Sequence, residues 1–527
     1  MPTGRRALLL GAAAIVLVVH SLVYNFVTDD AFISFVYSRN LAEHGELSFN
    51  LGQAVEGYTN FSWTVLLGGL MKLGIPPEIS SRVLGTFCAL ATLYVVFRAC
   101  ERAVERATPW ATVPALLLAC SSGFACWTSG GLETQLFTLC CVVAIDAVVA
   151  AETDPRAMPR AGIALALAAM TRPEGLLVAA VIAAVRLAAN ALSRRWIVKR
   201  DLIAIAVFLV IWAPWFAWRW HHYGYPFPNT YYVKATGRWL RPDMAAQLHD
   251  NGLYYVWAWA RQTRAIYAAP LALVGLVAVK PRTPRFVLAA TCGALAVIYL
   301  VYAVSVGGDF MGLHRFIMPV FVATAVLVVL GLERLVGTRP RLAIAAPAVL
   351  VAGFAATQVT LTIDSTRSCA HRICPNDHGI DSPAFLEVYT HDRAEIGKAM
   401  ASCFTDDDFS IVGGAGAQPY YAHMRAIDLF GLVSDRVAHD EPRVNPRAGH
   451  TKQASDQTLA TYDPDFIFSC YDITPTPKPT LHCDAGYWLA RGFEQVSLHV
   501  PGLLERGEYY TFLVKKDRHF DCPGLVK

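Results

Sequence analysis

"TDDAFISFVYSRNLAEHGELSFN", Thr28 to Asn50, follows directly on the first long apolar run of this chain, Leu8 to Val27. Two adjacent carboxylates, Asp29 and Asp30, therefore stand where an apolar segment ends. Their meaning depends on whether that segment spans a membrane and on which side it delivers them.

Composition answers the first part. Of 527 residues, 55 % are hydrophobic and 16 % charged, more apolar surface than a soluble chain of this length can bury. Apolar runs recur at Ile79 to Cys100, Trp110 to Trp127, Leu132 to Ala150, Leu202 to Trp220, Ile266 to Val279, Phe286 to Val304, Phe316 to Leu332 and Leu342 to Ile363. Most reach the roughly 20 residues a spanning helix needs. The stretch Ala161 to Leu192 is interrupted by "TRPEG" and reads as two shorter helices meeting at Pro173, which cannot continue a helical hydrogen-bond ladder. The expectation is a multi-spanning α-helical membrane protein of about eleven helices. The first run, preceded by Arg5 and Arg6, reads as a retained anchor: it is long for a signal peptide and no A-x-A site precedes Asp29.

Lys and Arg in the short connections set the orientation. With the N-terminus inside, the inner loops hold Arg98, Arg102 and Arg106; Arg156 and Arg160; Arg194, Arg195, Lys199 and Arg200; Lys280, Arg282 and Arg285; and Arg334, Arg339 and Arg341. The connections "TSGGLET", "TRPEG" and "VGGDFMGLHR" then face outward, together with the loop Thr28 to Glu78, the loop His221 to Arg264 and the tail after Asp364. On this reading the protein is a multi-pass protein of the plasma (inner) membrane, N-terminus in and C-terminus out. Residues 1–363 form the membrane domain and 364–527 a small external α/β domain.

The tail supports an exported location. Seven of the 13 cysteines precede Asp364, mostly inside apolar runs, where a small thiol needs no special role. Cys369, Cys374, Cys403, Cys470, Cys483 and Cys522 form an even set in the tail, which favours at least two disulfides without fixing their pairing. "CAHRICPNDH" matches no standard zinc-finger spacing. "FSIVGGAGAQPYYAHMRAIDLFGL" reads as strand, glycine turn, short helix and strand, with further strands at "DFIFSC" and "YYTFLVKK". "GGAGAQ" superficially suggests a dinucleotide loop, but Pro419 stands where the third glycine belongs, so it reads as a structural tight turn. A net charge of +4 is small for this length and argues against nucleic acid as partner. No internal repeat is visible in the membrane half, which weighs against a secondary transporter.

Paired acids at a helix start are often only a cap, and Thr28 or Asp29 could serve "AFISFVYSRNL" in that way. Their company on the outer face points further. Glu56 in "VEGYTN", Glu133 in "SGGLET", Arg172 and Glu174 in "TRPEG", Asn229 and Lys234 in "PNTYYVK", and Asp309, His314 and Arg315 in "GGDFMGLHR" share one membrane level. Charges held at membrane ends often line a pathway or a site. Transfer of a sugar from a lipid phosphate needs a carboxylate to take the acceptor proton, a role open to Asp29 or Asp30. It also needs positive charge at the departing phosphate, from Arg172, Lys234, His314 and Arg315 or from a divalent cation. One base and no second nucleophile imply inversion at the anomeric carbon.

These motifs resemble the GT-C membrane glycosyltransferases, which use polyprenyl-phosphate sugars as donors. Within that group "DDAFISFVYSRNLAEHGELSFNLGQAVEGYTNFSWTVLL", "TSGGLET", "TRPEG", "HHYGYPFPNTYYVKA", "GGDFMGLHRFIMP" and "DLFGLVSDRVAH" followed by "GHTK" are similar to the terminal arabinofuranosyltransferases of the actinobacterial cell envelope. "VEGYTN" and a shorter external domain depart from that branch. The resemblance implies Asp29 as general base beside Asp30. It also implies Glu133, Arg172, Glu174, Asn229, Lys234, Asp309 and Arg315 near the donor, with Glu56, His450 and Lys452 at the acceptor or closing over the site. The implied acceptor is a cell-envelope glycan or glycoprotein. Mannose and aminoarabinose are the alternative sugars, and a non-catalytic envelope or flagellar-motor accessory and a transporter are the alternative functions.

Overall fold

The computed structural model describes residues 3–104, 110–277, 281–336, 339, 341–367, 377–478, 481 and 483–526. Arg106, Lys280, Cys369, Cys374 and most of "CAHRICPNDH" lie outside them.

The chain begins with α1 (Thr3–Tyr24), α2 (Asp29–His44), α3 (Phe61–Lys72) and α4 (Pro77–Ala103). It continues with α5 (Val113–Cys120), α6 (Ser122–Ser129), α7 (Thr134–Ala150), α8 (Met158–Thr171), α9 (Glu174–Leu192) and α10 (Lys199–Tyr223). Two extramembrane helices, α11 (Asn229–Ala235) and α12 (Asp243–Gln262), precede α13 (Ala265–Leu276), α14 (Pro284–Ser305), α15 (Met318–Val336) and α16 (Leu342–Arg367). Among the described residues seven helices are long and apolar enough to cross a membrane, and α5 with α6 makes an eighth if the bent pair is one span.

In that pair the apolar run Trp110 to Trp127 is bent. Ser121 takes an extended conformation, its hydroxyl accepts the Phe124 amide, and α6 leaves α5 at 63°. A break at membrane depth must have its freed polar groups satisfied by protein. Here α16 supplies them: the Ser122 amide donates to Gln358 Oε1 (3.1 Å) and its hydroxyl to the Gln358 carbonyl (2.8 Å).

After α16 come α17 (Pro383–Ala399), β1 (Phe409–Val412), α18 (Ala417–Ala422), β2 (Arg425–Asp428), β3 (Phe466–Thr474), β4 (Phe493–His499), β5 (Tyr509–Lys515) and β6 (Leu525–Val526). They build a six-stranded sheet of order β2-β1-β3-β5-β4-β6. β1 runs parallel to β2 and β3, and the other pairs are antiparallel. The Asp428 carboxylate ends β2 by accepting the amides of Phe430, Leu432 and Val433, a purely local role. Cys403–Cys522 and Cys470–Cys483 are disulfides, while the seven cysteines of the membrane region are free.

One element joins the two halves. α2 is buried on two faces although half its residues are polar. Its Phe32 and Phe35 belong to the membrane core, whereas Ile33, Val36 and Tyr37 pack into one face of the sheet domain with Phe468, Val496 and Phe512. The acidic pair therefore opens a helix wedged between the two cores.

Candidate functional site

Asp29 and Asp30 occupy the first turn of α2, where the partial positive charge of a helix start favours carboxylates. Thr28 takes the capping position, yet its hydroxyl makes no capping bond. Neighbouring residues on a helix point about 100° apart, so the two acids part company.

Asp30 lines a cavity of about 100 Å³ at the end of the membrane region that carries the sheet domain. Glu133, Arg172, Lys234, Arg315 and His450 line it too, so six distant segments converge on one space. Two of the three cations are pinned. Arg172 donates to Glu133 (2.9 Å) and Glu174 (3.3 Å) and lies over the rings of Phe137 and Phe316. Arg315 donates to Asp309 (2.8 Å) and lies over Trp127. The backbone supports this placement: Gly312 O accepts the Trp127 indole, and Leu313 and His314 adopt positive φ. Asn60 holds the far side of Glu133 (2.9 Å) and accepts the Ser34 hydroxyl (3.0 Å).

Asp30 and Lys234 differ from these pairs. Among the described residues neither side chain makes a hydrogen bond or ion pair, although both line the cavity. Burial raises the Asp30 carboxyl above its usual range and lowers the Lys234 ammonium. Buried charges without fixed partners are available to a ligand. His450 stands between Phe310 and Phe430, edge-on at 4.7 Å to each, and burial pushes its imidazole down to about 4, so it is neutral at ordinary pH.

Several expected site residues sit elsewhere. Asp29 does not line the cavity. Its Oδ1 accepts the Ala417 amide (2.8 Å), and burial raises the carboxyl to about 6 although that bond pulls it down. His314 is no cation at the cavity: Nε2 is 2.9 Å from Gln262 Oε1. Glu56 forms a two-pronged pair with Arg219 at the end of α10 (2.6 Å each). Asn229 donates to Asp435 (2.9 Å), and Lys452 donates to Ala438 O (2.6 Å). Asp29 and Asn229 join the membrane half to the sheet domain, Glu56 and His314 tie loops to α10 and α12, and Lys452 bonds within the sheet domain. Glu174 and Asp309 support the cavity from behind.

Asn60 and Arg219 were missed by the sequence reading. Asn60 ends the quoted "VEGYTN", so its motif was visible but its partner was not. Among the described residues no three His, Cys, Asp or Glu side chains are grouped to hold a metal ion.

No family model and no curated protein matches the chain. Solved structures do. ArnT from Cupriavidus metallidurans bound to undecaprenyl phosphate superposes with a TM-score of 0.58 over 97 % of this chain and 98 % of its own, at 15 % identity, and its apo form gives the same values. The arabinosyltransferase EmbB from Mycobacterium smegmatis covers 74 % of this chain and 37 % of its own at 14 % identity, with a TM-score of 0.41. The chain thus has the GT-C membrane fold with a C-terminal sheet domain.

Proposed function

We propose that the protein is an inverting membrane glycosyltransferase that moves a sugar from a polyprenyl-phosphate donor to a cell-envelope acceptor at the outer membrane face. The observation that carries this reading is the cavity, where the cations Arg172, Lys234 and Arg315 meet Asp30 and Glu133 beside the bilayer. Three cations at one cavity match the needs of a departing lipid phosphate. The fold shared with ArnT, solved with undecaprenyl phosphate, agrees with such a donor.

In the proposed step the acceptor hydroxyl gives its proton to the Asp29 carboxylate and its oxygen bonds to the anomeric carbon. The bond from that carbon to the phosphate oxygen breaks, leaving polyprenyl phosphate. Asp29 suits the base because among the described residues no cation is bonded to it and it stands on α2 directly before Asp30, which lines the cavity. Asp30, set among the cations, serves the donor side. An apolar cleft lined by α8, α9 and α10 extends from Leu176 to Arg186 and Trp196, toward the end away from the sheet domain, and offers a surface along which the isoprenoid tail can lie. Each buried methylene there contributes about 0.8 kcal/mol, so the tail supplies most of the affinity.

Arabinofuranose is the proposed sugar, on the sequence resemblance. Decaprenyl phosphate carrying arabinofuranose, mannose or aminoarabinose, offered with a set of acceptors, tests this. Preferred release from the arabinofuranose donor is expected; preference for mannose or aminoarabinose would refute the sugar and keep the mechanism.

A further inference from the structure

Asp29 accepts a hydrogen bond from the sheet domain. Its carboxylate lies against the turn 413–417, whose Ala417 amide donates to Oδ1 at 2.8 Å. The fit around it is close. A Cβ on Gly416 would collide with the Asp29 carboxyl and carbonyl, and one on Gly414 would lie 3.1 Å from Asp29 Oδ2 and 3.2 Å from Tyr389 Oη. A Cβ on Gly413 would meet only Ser469 Cα, at 3.9 Å. The glycines that are needed are therefore those beside the carboxylate. The same segment is clasped to α2 elsewhere: Tyr420 and Tyr421 pack on Phe32, with centroids 5.2 and 5.4 Å away, and Arg39 donates to Tyr420 O at 2.7 Å.

We propose that the turn 414–417 of the sheet domain is a positioning element for Asp29, so that transfer requires this domain to be docked on α2. The Ala417 amide orients the carboxylate and Gly414 and Gly416 leave room for it. This rests on Asp29 being the base of the proposed reaction. The groups facing Asp29 are Asp30 on its own helix, Arg393 and Tyr389 on α17, and the Ala417 amide. Of these, Asp30 disfavours the ionised form, while Arg393 and the amide favour it. Burial is the largest influence and raises the carboxyl, and the external domain, through Ala417 and Arg393, opposes it while fixing the direction of the base.

Ala417→Pro removes the amide donor. Ala417 is the first residue of α18, a position where proline fits a helix, but the ring Cδ takes the place of the N–H aimed at Asp29 Oδ1 and turns the carboxylate away as well. Removing a donor to a carboxylate raises its pKa, so the acid limb of the pH–rate profile should move to higher pH by about one unit or more. A wild-type acid limb in Ala417→Pro, alongside an inactive Asp29→Asn, would overturn the positioning role and leave the base in place. An active Asp29→Asn would instead refute the base itself. If Ala417→Pro fails to fold, two glycine variants decide. Gly416→Ala should lose about 10²-fold in turnover, the scale of a small misplacement, while Gly413→Ala should turn over like wild type. Equal turnover in those two variants would overturn the proposal.

Discussion

The two ends of the membrane region treat their charges in opposite ways. At the end away from the sheet domain the buried cations are matched. Arg6 pairs with Glu101, Arg102 with Asp146, Arg285 with Glu333, and Arg186 and Arg200 both with Glu152, which is almost wholly buried. At the sheet-domain end Arg172 and Arg315 are pinned, but Asp30 and Lys234 face a cavity without fixed partners. Counting basic loops treats all these cations alike. The difference between them separates architecture from chemistry, because a charge that is already satisfied has little left for a ligand.

Substitutions at the two ends should therefore diverge. The largest effect is expected for Asp29→Asn. An amide cannot take the acceptor proton, so turnover should fall about 10²–10⁴-fold. The variant should nevertheless melt higher at pH 7. The folded-state pKa of Asp29 is raised from 3.8 to about 6, so burying its charge costs stability progressively between those values and fully above about pH 6. A thermal scan at pH 5 and pH 8 checks the sign: the gain should be larger at pH 8. For the same reason wild-type activity should decline as pH falls through about 6.

Glu152→Gln comes next and should behave inversely. Leaving Arg186 and Arg200 buried without their carboxylate should cost about 3–5 kcal/mol of stability, while turnover per folded molecule stays near wild type. Loss of turnover without loss of stability would erase the contrast between the ends. Lys234→Met removes a cation from the cavity and should lower turnover about 10²–10³-fold with unchanged or improved melting. The smallest effect is expected for His450→Phe. A neutral imidazole between two rings contributes packing and shape, so a change of about tenfold at most in turnover is predicted, read from steady-state rates.

Much of this arrangement was legible because function sits in short connections between long apolar runs. "SGGLET", "TRPEG" and "GGDFMGLHR" each bring a charge to one level, and Glu133, Arg172 and Arg315 do line one cavity. The tail was also readable: its glycine turn is flanked by β1 and β2, and two pairs of its cysteines are joined. What escaped were pairings across long sequence distances. Arg219 ends an apolar helix and looks like an interfacial anchor, yet it holds Glu56, 163 residues away. His314 looks cationic beside Arg315, but its positive φ turns it to Gln262. The direction in which Asp29 departs from Asp30 depends on where the sheet domain docks, which no local pattern encodes.

The central claim is that the partnerless charges of the cavity serve a lipid-phosphate leaving group. It is tested most directly by incubating the purified protein in lipid nanodiscs with polyprenyl-phosphate sugars and acceptor glycans, and following release of polyprenyl phosphate. The account predicts release that depends on acceptor, collapses in Asp29→Asn and Lys234→Met, and persists in folded Glu152→Gln. No release from any donor, or release that survives in Lys234→Met and Asp29→Asn, would contradict it.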